Sequence, residues 1–385
     1  MRDNNPFEFG VVVTGKHFTN RKTERERLAR NFTNLTNTIL ISPRRWGKSS
    51  LVKEVANDME KQNRTVRFCF IDLFNIRNEH NFYEKLIAGI INATSSKLDE
   101  ARQLVKQAFK LIVPKLSFGV APSQDISVGL EWKEARKNTD EILDFAEKVA
   151  ARKKIKLVIC IDEFQNLEFF QEELAFQKKL RSHWQHHRHV CYCLYGSKRH
   201  MMINIFSKSS MPFYRFGDIV FLEKMATSDL EKFIIHNFKK TGKQIGPAQS
   251  VFIIEKMRNH PYYVQQLAHI VWNHTDKIVS KATMEESLND LLNQNAIFYQ
   301  READHLSNTQ IGLLKAIAAG RTLLSSMETM AEFGLGTSAN VKKNKVALEK
   351  KEIIDIYSGA PSFLDPAFEL WFKRNFMGMV VEAEG

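Results

Sequence analysis

Thr38-Ile-Leu-Ile-Ser-Pro-Arg-Arg-Trp-Gly-Lys-Ser-Ser-Leu51 decides how the chain is read. A short β-branched run, Thr38–Ser42, predicts a strand, and an amphipathic pattern from about Ser50 to Lys61 predicts a helix. Between them lies a phosphate-loop pattern, G-x-x-x-x-G-K-[ST], altered only at its first position, where Ser42 replaces Gly. Such a loop wraps backbone N–H groups around phosphates and adds the positive N-terminus of the following helix. The predicted nucleotide contacts are therefore Ser42, Pro43, Arg44, Arg45, Trp46, Gly47, Lys48, Ser49 and Ser50. Lys48 reaches the β/γ phosphates, and Ser49 is a ligand for Mg²⁺. Ser42 followed by Pro43 makes the loop start stiffer than Gly would.

Two further strand ends complete this site. Leu157-Val-Ile-Cys-Ile-Asp-Glu-Phe164 is an apolar run ending in paired carboxylates. A buried strand rarely ends in two adjacent acids without a cation to answer them. Asp162 is expected to hold Mg²⁺ through water, and Glu163 to orient or deprotonate the attacking water. The run Val190-Cys-Tyr-Cys-Leu-Tyr-Gly-Ser197 is expected to insert between the other two strands, as the corresponding strand does in P-loop ATPases with a catalytic Glu. Its tip, Ser197, is then a candidate sensor of the γ-phosphate, against the alternative of a simple turn residue.

Beyond the site, strand-like runs at Val66–Leu73 and Ile219–Leu222 join the three above. Helical patterns around Phe82–Thr94, Thr139–Ala151 and Glu172–His183 alternate with them. The predicted fold is α/β, a parallel sheet with helices on both faces. A helix over Asp99–Val113 and a β-hairpin turning at Pro122–Asp125 read as an insertion at about residues 95–135. From Thr227 to about Gln300 the pattern is helical, with Ser228 or Asp229 as N-cap and a break at Thr241–Pro247. Helices around Thr309–Ala319, Ser326–Phe333 and Ser338–Lys351 precede a hairpin of Ile353–Tyr357 and Ser362–Leu364. Helix, helix, helix, hairpin is the order of a winged helix-turn-helix. The expected division is an ATPase domain over 1–224, a helical lid over 225–300 and a winged helix over 301–385.

Composition limits the classes further. The 385 residues carry 56 Lys and Arg against 44 Asp and Glu, a net charge of +12 that favours contact with polyanions. The Met1–Gly10 segment lacks an apolar signal core, and no run approaches the ~18 apolar residues of a membrane span. All four cysteines, Cys69, Cys160, Cys191 and Cys193, lie in apolar runs, so they read as small buried hydrophobes of a reducing cytoplasm.

The chain resembles the archaeal-type ATPases of the STAND group, AAA+ relatives with an architecture like that of origin-recognition-complex proteins. The resemblance is carried by Phe18-Thr-Asn-Arg-Lys-Thr-Glu24, Arg44-Arg45 in the loop, Asp162-Glu-Phe-Gln165, Gly196-Ser197, Asn259-His-Pro-Tyr-Tyr263 and Asp365-Pro-Ala-Phe-Glu-Leu-Trp371. It implies that Phe18 to Arg21 lie near adenine and ribose and that Pro261 marks the lid's contact with nucleotide. Asn259 stands where relatives usually have Gly, and Asn tolerates the positive φ of such a turn. Arg215 resembles an Arg that approaches the γ-phosphate, with a surface Arg as the alternative. The resemblance implies a Mg²⁺-dependent ATPase, binding ATP and ADP, whose nucleotide state sets the arrangement of lid and winged helix. The alternative is a nucleotide-dependent DNA-binding initiator or regulator with slow turnover. A protein partner or self-association fits the first. A metabolite kinase lacks an acceptor pocket here, and no N-K-x-D guanine motif appears.

Two further groups draw notice. His183, His186 and His187 fall at i, i+3 and i+4, with His189 beyond, but no carboxylate or thiol of suitable spacing joins them, so a solvated helix end is expected. On the Ser338–Lys351 helix, Val341 and Leu348 share one side while Lys342, Lys343 and Lys350 share the opposite arc. Those lysines are candidates for DNA phosphates, with the Ser358–Pro361 turn as wing tip.

Overall fold

The apolar runs become the strands of one parallel sheet. In a computed structural model that describes residues 5–15, 18–95, 97–118, 126–357 and 359–379, Arg21–Glu223 form one unit. Its elements begin α1 (Lys22–Thr33), β1 (Thr38–Ile41), α2 (Lys48–Gln62), β2 (Val66–Asp72), α3 (Glu79–Thr94) and α4 (Leu98–Ala108). They continue with β3 (Lys115–Phe118), β4 (Ile126–Gly129), α5 (Trp132–Lys137), α6 (Thr139–Leu143) and α7 (Phe145–Lys153). Then follow β5 (Lys156–Asp162), a 3₁₀ helix (Phe164–Phe169), α8 (Glu173–Trp184), β6 (Val190–Gly196), α9 (Arg199–Ser207) and β7 (Asp218–Phe221).

The sheet order is β2-β5-β6-β1-β7, with every neighbouring pair parallel. β1 and β6 are buried along their whole length, as strands covered on both faces must be. The edge strands β2 and β7 are partly exposed. β6 thus lies between β1 and β5, which brings Gly196 into register with Ile41. The core against the sheet is aromatic, with Phe82, Tyr83, Phe145, Phe176 and Trp184 all buried. All four cysteines are buried and free, and burial pushes the Cys69 thiol up to about 12.

The inserted hairpin pairs β3 with β4 antiparallel, from Lys115 opposite Gly129 to Phe118 opposite Ile126. Its expected turn at Pro122–Asp125 lies outside the described residues. The helix expected through Thr139–Ala151 is instead broken at Asp144 into α6 and α7. α1, with few apolar positions, and the short α9 were not anticipated by periodicity.

Met1–Asn20 and Lys224–Gly385 form the second unit. It contains α10 (Thr227–Lys240), α11 (Pro247–Lys256), α12 (Pro261–His274) and α13 (Lys281–Asp304). These are followed by α14 (Asn308–Ala318), α15 (Met327–Glu332), α16 (Ser338–Lys350), β8 (Ile354–Asp355), β9 (Ser362–Phe363) and α17 (Pro366–Met377). Ala226, rather than Ser228 or Asp229, is the N-cap of α10, which starts at Thr227. The break ends where Pro247 opens α11. Three helices and a β8–β9 hairpin reproduce the winged-helix order, and α17 follows. One apolar core includes Ile234, Leu267, Leu291, Leu314, Leu348 and Phe372, so the regions read as lid and winged helix share it. The first twenty residues, read from sequence with the ATPase domain, group with this unit instead. Phe7 is buried in its core, the Asn5 amide donates to the His269 carbonyl at 2.9 Å, and His269 Nδ1 donates to the Phe7 carbonyl at 2.9 Å. No described helix is long and apolar enough to cross a membrane.

Candidate active site

The loop between β1 and α2 owes its shape to two left-handed residues, Arg45 at φ 61° and Gly47 at φ 86°. A Cβ on Gly47 would meet nothing within 4 Å, so its requirement is the dihedral and not space. Gly47 caps α2 without a side-chain hydrogen bond, at a helix N-terminus whose positive end favours an anion. The buried Lys48 ammonium donates to the Ser42 and Pro43 carbonyls at 3.1 and 3.0 Å, folding back along the loop that carries it. Ser42 Oγ donates to the Pro43 carbonyl at 3.1 Å, so the hydroxyl that replaces a glycine here braces the loop start. Arg44 and Arg45 are exposed at its crown, Pro43 and Trp46 are buried, and Ser50 is half-buried.

Arg21 is buried and not displayed to a ligand. Its guanidinium donates to Glu24 at 2.9 Å, to the Glu223 carbonyl at 2.8 Å and to the Trp46 carbonyl at 3.2 Å. It therefore ties the start and end of this unit to the phosphate loop.

The sheet brings the acidic pair to α2. Ser49 Oγ donates to Asp162 Oδ2 at 2.6 Å. Burial pushes the Asp162 carboxyl above its ordinary range, with Glu163 adding to the shift while Ser49 and Lys48 oppose it. A hydroxyl and a carboxylate converging in this way form an oxygen-only donor set, the kind that suits a hard divalent cation. The Glu163 N–H donates to Asp162 Oδ1 at 2.8 Å, and Glu163 itself takes φ 52° as the chain leaves β5 for the 3₁₀ helix. A left-handed glutamate is costly backbone, of the sort concentrated at functional sites. Its Oε2 accepts from Ser197 Oγ at 3.1 Å and from the Gln165 amide. Lys48, Ser49, Asp162, Glu163 and Ser197 are thus joined by direct bonds or by chain adjacency.

The remaining candidates are not part of that network. Arg215 (φ 52°) follows α9 in a turn, with its guanidinium 5.1 Å from the Tyr214 ring centroid and no bond to the acidic pair. Phe18 is half-buried and groups with the C-terminal unit, as does Pro261, the first residue of α12. Asn259 takes φ 58°, and its amide donates to the Met225 carbonyl and Thr227 Oγ1 at 3.0 and 2.9 Å. Lys342, Lys343 and Lys350 are exposed on α16 while Val341 and Leu348 are buried, the division read from the sequence.

The histidines lie at and beyond the end of α8, where His186 and His189 are exposed as expected, but His183, His187 and His189 are bonded to side chains of other elements. α8 stops at Trp184, so His186 and His187 lie beyond the helix. His183 Nδ1 bonds Asp144 at 2.8 Å, His189 Nδ1 bonds Glu147 at 2.7 Å, and His187 Nδ1 lies 2.9 Å from the Tyr192 hydroxyl. Burial lowers the His187 pKa from its ordinary value. The carboxylates come from α7 and the residue before it, which no local spacing could reveal. Among the described residues no cluster of three or more His, Cys, Asp or Glu is arranged to hold a metal.

Residues 18–267 match the family model of the ATPase domain predominantly from Archaea. No curated protein matches the chain. A Walker-type ATPase of Pyrococcus abyssi is similar in structure, with a TM-score of 0.68 at 15% identity over 96% of this chain and 99% of that one. The ORC2 protein of Aeropyrum pernix, in its ADPNP–ADP complexes, gives a TM-score of 0.58 at 14% identity over 97% and 96% of the two chains. At such identities these likenesses speak to the fold, and the family match speaks to the chain. With its parallel sheet, its phosphate loop and its acid-tipped β5, the chain belongs to the family of P-loop ATPase domains found predominantly in Archaea.

Proposed function

We propose that the chain is an ATP-hydrolysing switch of the STAND type, with Glu163 activating the attacking water. The observation that carries this reading is the placement of Glu163. It is fixed in a left-handed turn by its backbone, held at Oε2 by Ser197, and adjacent to the Ser49–Asp162 bond. Mg²⁺, held by Ser49 and Asp162, would supply charge neutralisation for the phosphates. Lys48 and the positive N-terminus of α2 bind and orient the phosphate chain. Ser197 holds the carboxylate and stands ready to exchange that bond for one to the γ-phosphate. Arg215 remains a candidate for the same phosphate. ATP and ADP then act as switch ligands through their different contacts with two states of the protein. Glu163→Gln is expected to lower kcat on the order of 100-fold or more, in steady-state assays with and without duplex DNA. Equal turnover in both proteins would remove Glu163 from the chemistry.

The second reading is a nucleotide-dependent duplex-DNA binder, favoured by the exposed Lys342, Lys343 and Lys350 opposite the buried face of α16. In the full chain, replacing all three by Glu should weaken duplex binding and flatten its salt dependence, by a slope of about 0.9 per lost phosphate contact. Binding that differs between ATP and ADP would favour this reading. Wild type without salt-dependent duplex affinity would exclude it.

A further inference from the structure

Gln165 is the polar group beside the acidic pair to which the proposed reaction gives no task. Its side chain is fully buried. Its amide donates to Glu163 Oε2, the same oxygen that accepts from Ser197 Oγ. Its own carbonyl, Oε1, is buried with no hydrogen-bond partner. Leaving a buried acceptor unmade costs free energy, and an apolar side chain of the same size would avoid that cost. The amide orientation follows from chemistry, because the flipped form would set Oε1 against a carboxylate oxygen, acceptor facing acceptor.

Gly196 supplies the second observation. It is not among the positive-φ glycines, so its backbone conformation is open to other residues. The restriction is space. A Cβ at Gly196 would fall 1.8 Å from Gln165 Oε1, 3.0 Å from its Cδ and 3.0 Å from Met202 Sδ. The tip of β6 therefore gives up a side chain at the residue beside Ser197, and the Gln165 carboxamide occupies that clearance.

We propose that Gln165 is a positioning residue for hydrolysis, with Gly196 as the clearance that admits it. Gln165 and Ser197 both engage Oε2 of Glu163 and so direct the other oxygen, Oε1, at the attacking water. When Ser197 turns to the γ-phosphate, Gln165 alone keeps the carboxylate from rotating. The inference rests on the reading that Glu163 activates water.

The experiment is steady-state ATP turnover of the full chain, comparing wild type with Gln165→Met, Gln165→Ala, Gly196→Ala, the double variant Gln165→Ala/Gly196→Ala, and Glu163→Gln as the floor. Met keeps most of the bulk and removes the donor. The expected result is a roughly 10- to 100-fold loss of kcat in Gln165→Met, with KM for ATP within about twofold of wild type. Gly196→Ala should fall below Gln165→Ala, and the double variant should recover to the level of Gln165→Ala but no further. Wild-type kcat in Gln165→Met would make the residue a packing element and overturn the proposal. So would a double variant no better than Gly196→Ala. If Gln165→Met does not fold, Gln165→Ala with unchanged KM provides the same comparison. Wild type no faster than Glu163→Gln would overturn the reading of Glu163 and this inference together, whereas a slow Glu163→Gln beside a fast Gln165→Met overturns the inference alone.

Discussion

Asp218, the first residue of β7, is bound by Arg27 through two bonds, Nε to Oδ2 at 2.8 Å and Nη2 to Oδ1 at 2.5 Å, and by the Asn31 amide at 2.8 Å. The Arg27 guanidinium holds this carboxyl below its ordinary value. A carboxylate whose folded pKa is depressed contributes stability above its unfolded value, about 3.9, and loses it as pH falls through the folded value. The thermal midpoint of wild type should therefore exceed that of Asp218→Asn at pH 7, and the gap should close below about pH 4. A gap that is absent, or constant down to pH 2, would refute the linkage. At this scale the residues gathered at the strand tips were legible because Gly-Lys-Ser and Asp-Glu are patterns fixed by ligand chemistry. The surroundings of Arg21 and Gln165 were not, since Glu223 and Trp46 lie beside the first and Gly196 beside the second only in the folded chain. Arg21 matched a family motif and was read as a ligand contact, and three of its five donors bond Glu24 and two carbonyls.

Among elements, α13 and α17 show how the C-terminal unit is closed. Trp371 is buried, with its ring 5.8 Å from Tyr299 of α13 and 5.9 Å from Phe368 and from Phe376 of its own helix. Asp365 caps α17 by accepting from the Phe368 N–H at 2.8 Å, and it also accepts from the Tyr263 hydroxyl of α12. Trp371→Ala should destabilise this unit by about 3–5 kcal/mol. Urea titration followed by far-UV circular dichroism would measure this, and a loss below about 1 kcal/mol would contradict the packing. The sheet strands were legible because buried parallel strands are continuous apolar runs, and even the two-residue β8 and β9 were marked by their turn. α1 was obscured because its buried positions include the polar Asn31 beside Leu28 and Phe32. The split between α6 and α7 was obscured because Asp144 looks like an ordinary surface position until His183 is seen bonded to it.

For the molecule as a whole, the sequence predicts three successive domains, whereas contacts divide the chain into two units, one of them discontinuous. Nothing local to Asn5 or Phe7 announces that their partners are on α12, more than 260 positions away. The same limit hid the shared core of the lid and winged-helix regions, for which α13 is responsible. This helix has 24 residues, a rod of about 36 Å at 1.5 Å per residue. α12 packs along it, and so does α17. A helix held in this way can curve only gently unless its backbone hydrogen bonds are interrupted. It behaves as a lever arm, and a tilt of about 10° at one end carries the other roughly 6 Å. A small displacement of α12 would then be carried along α13 to α17, which packs against β9.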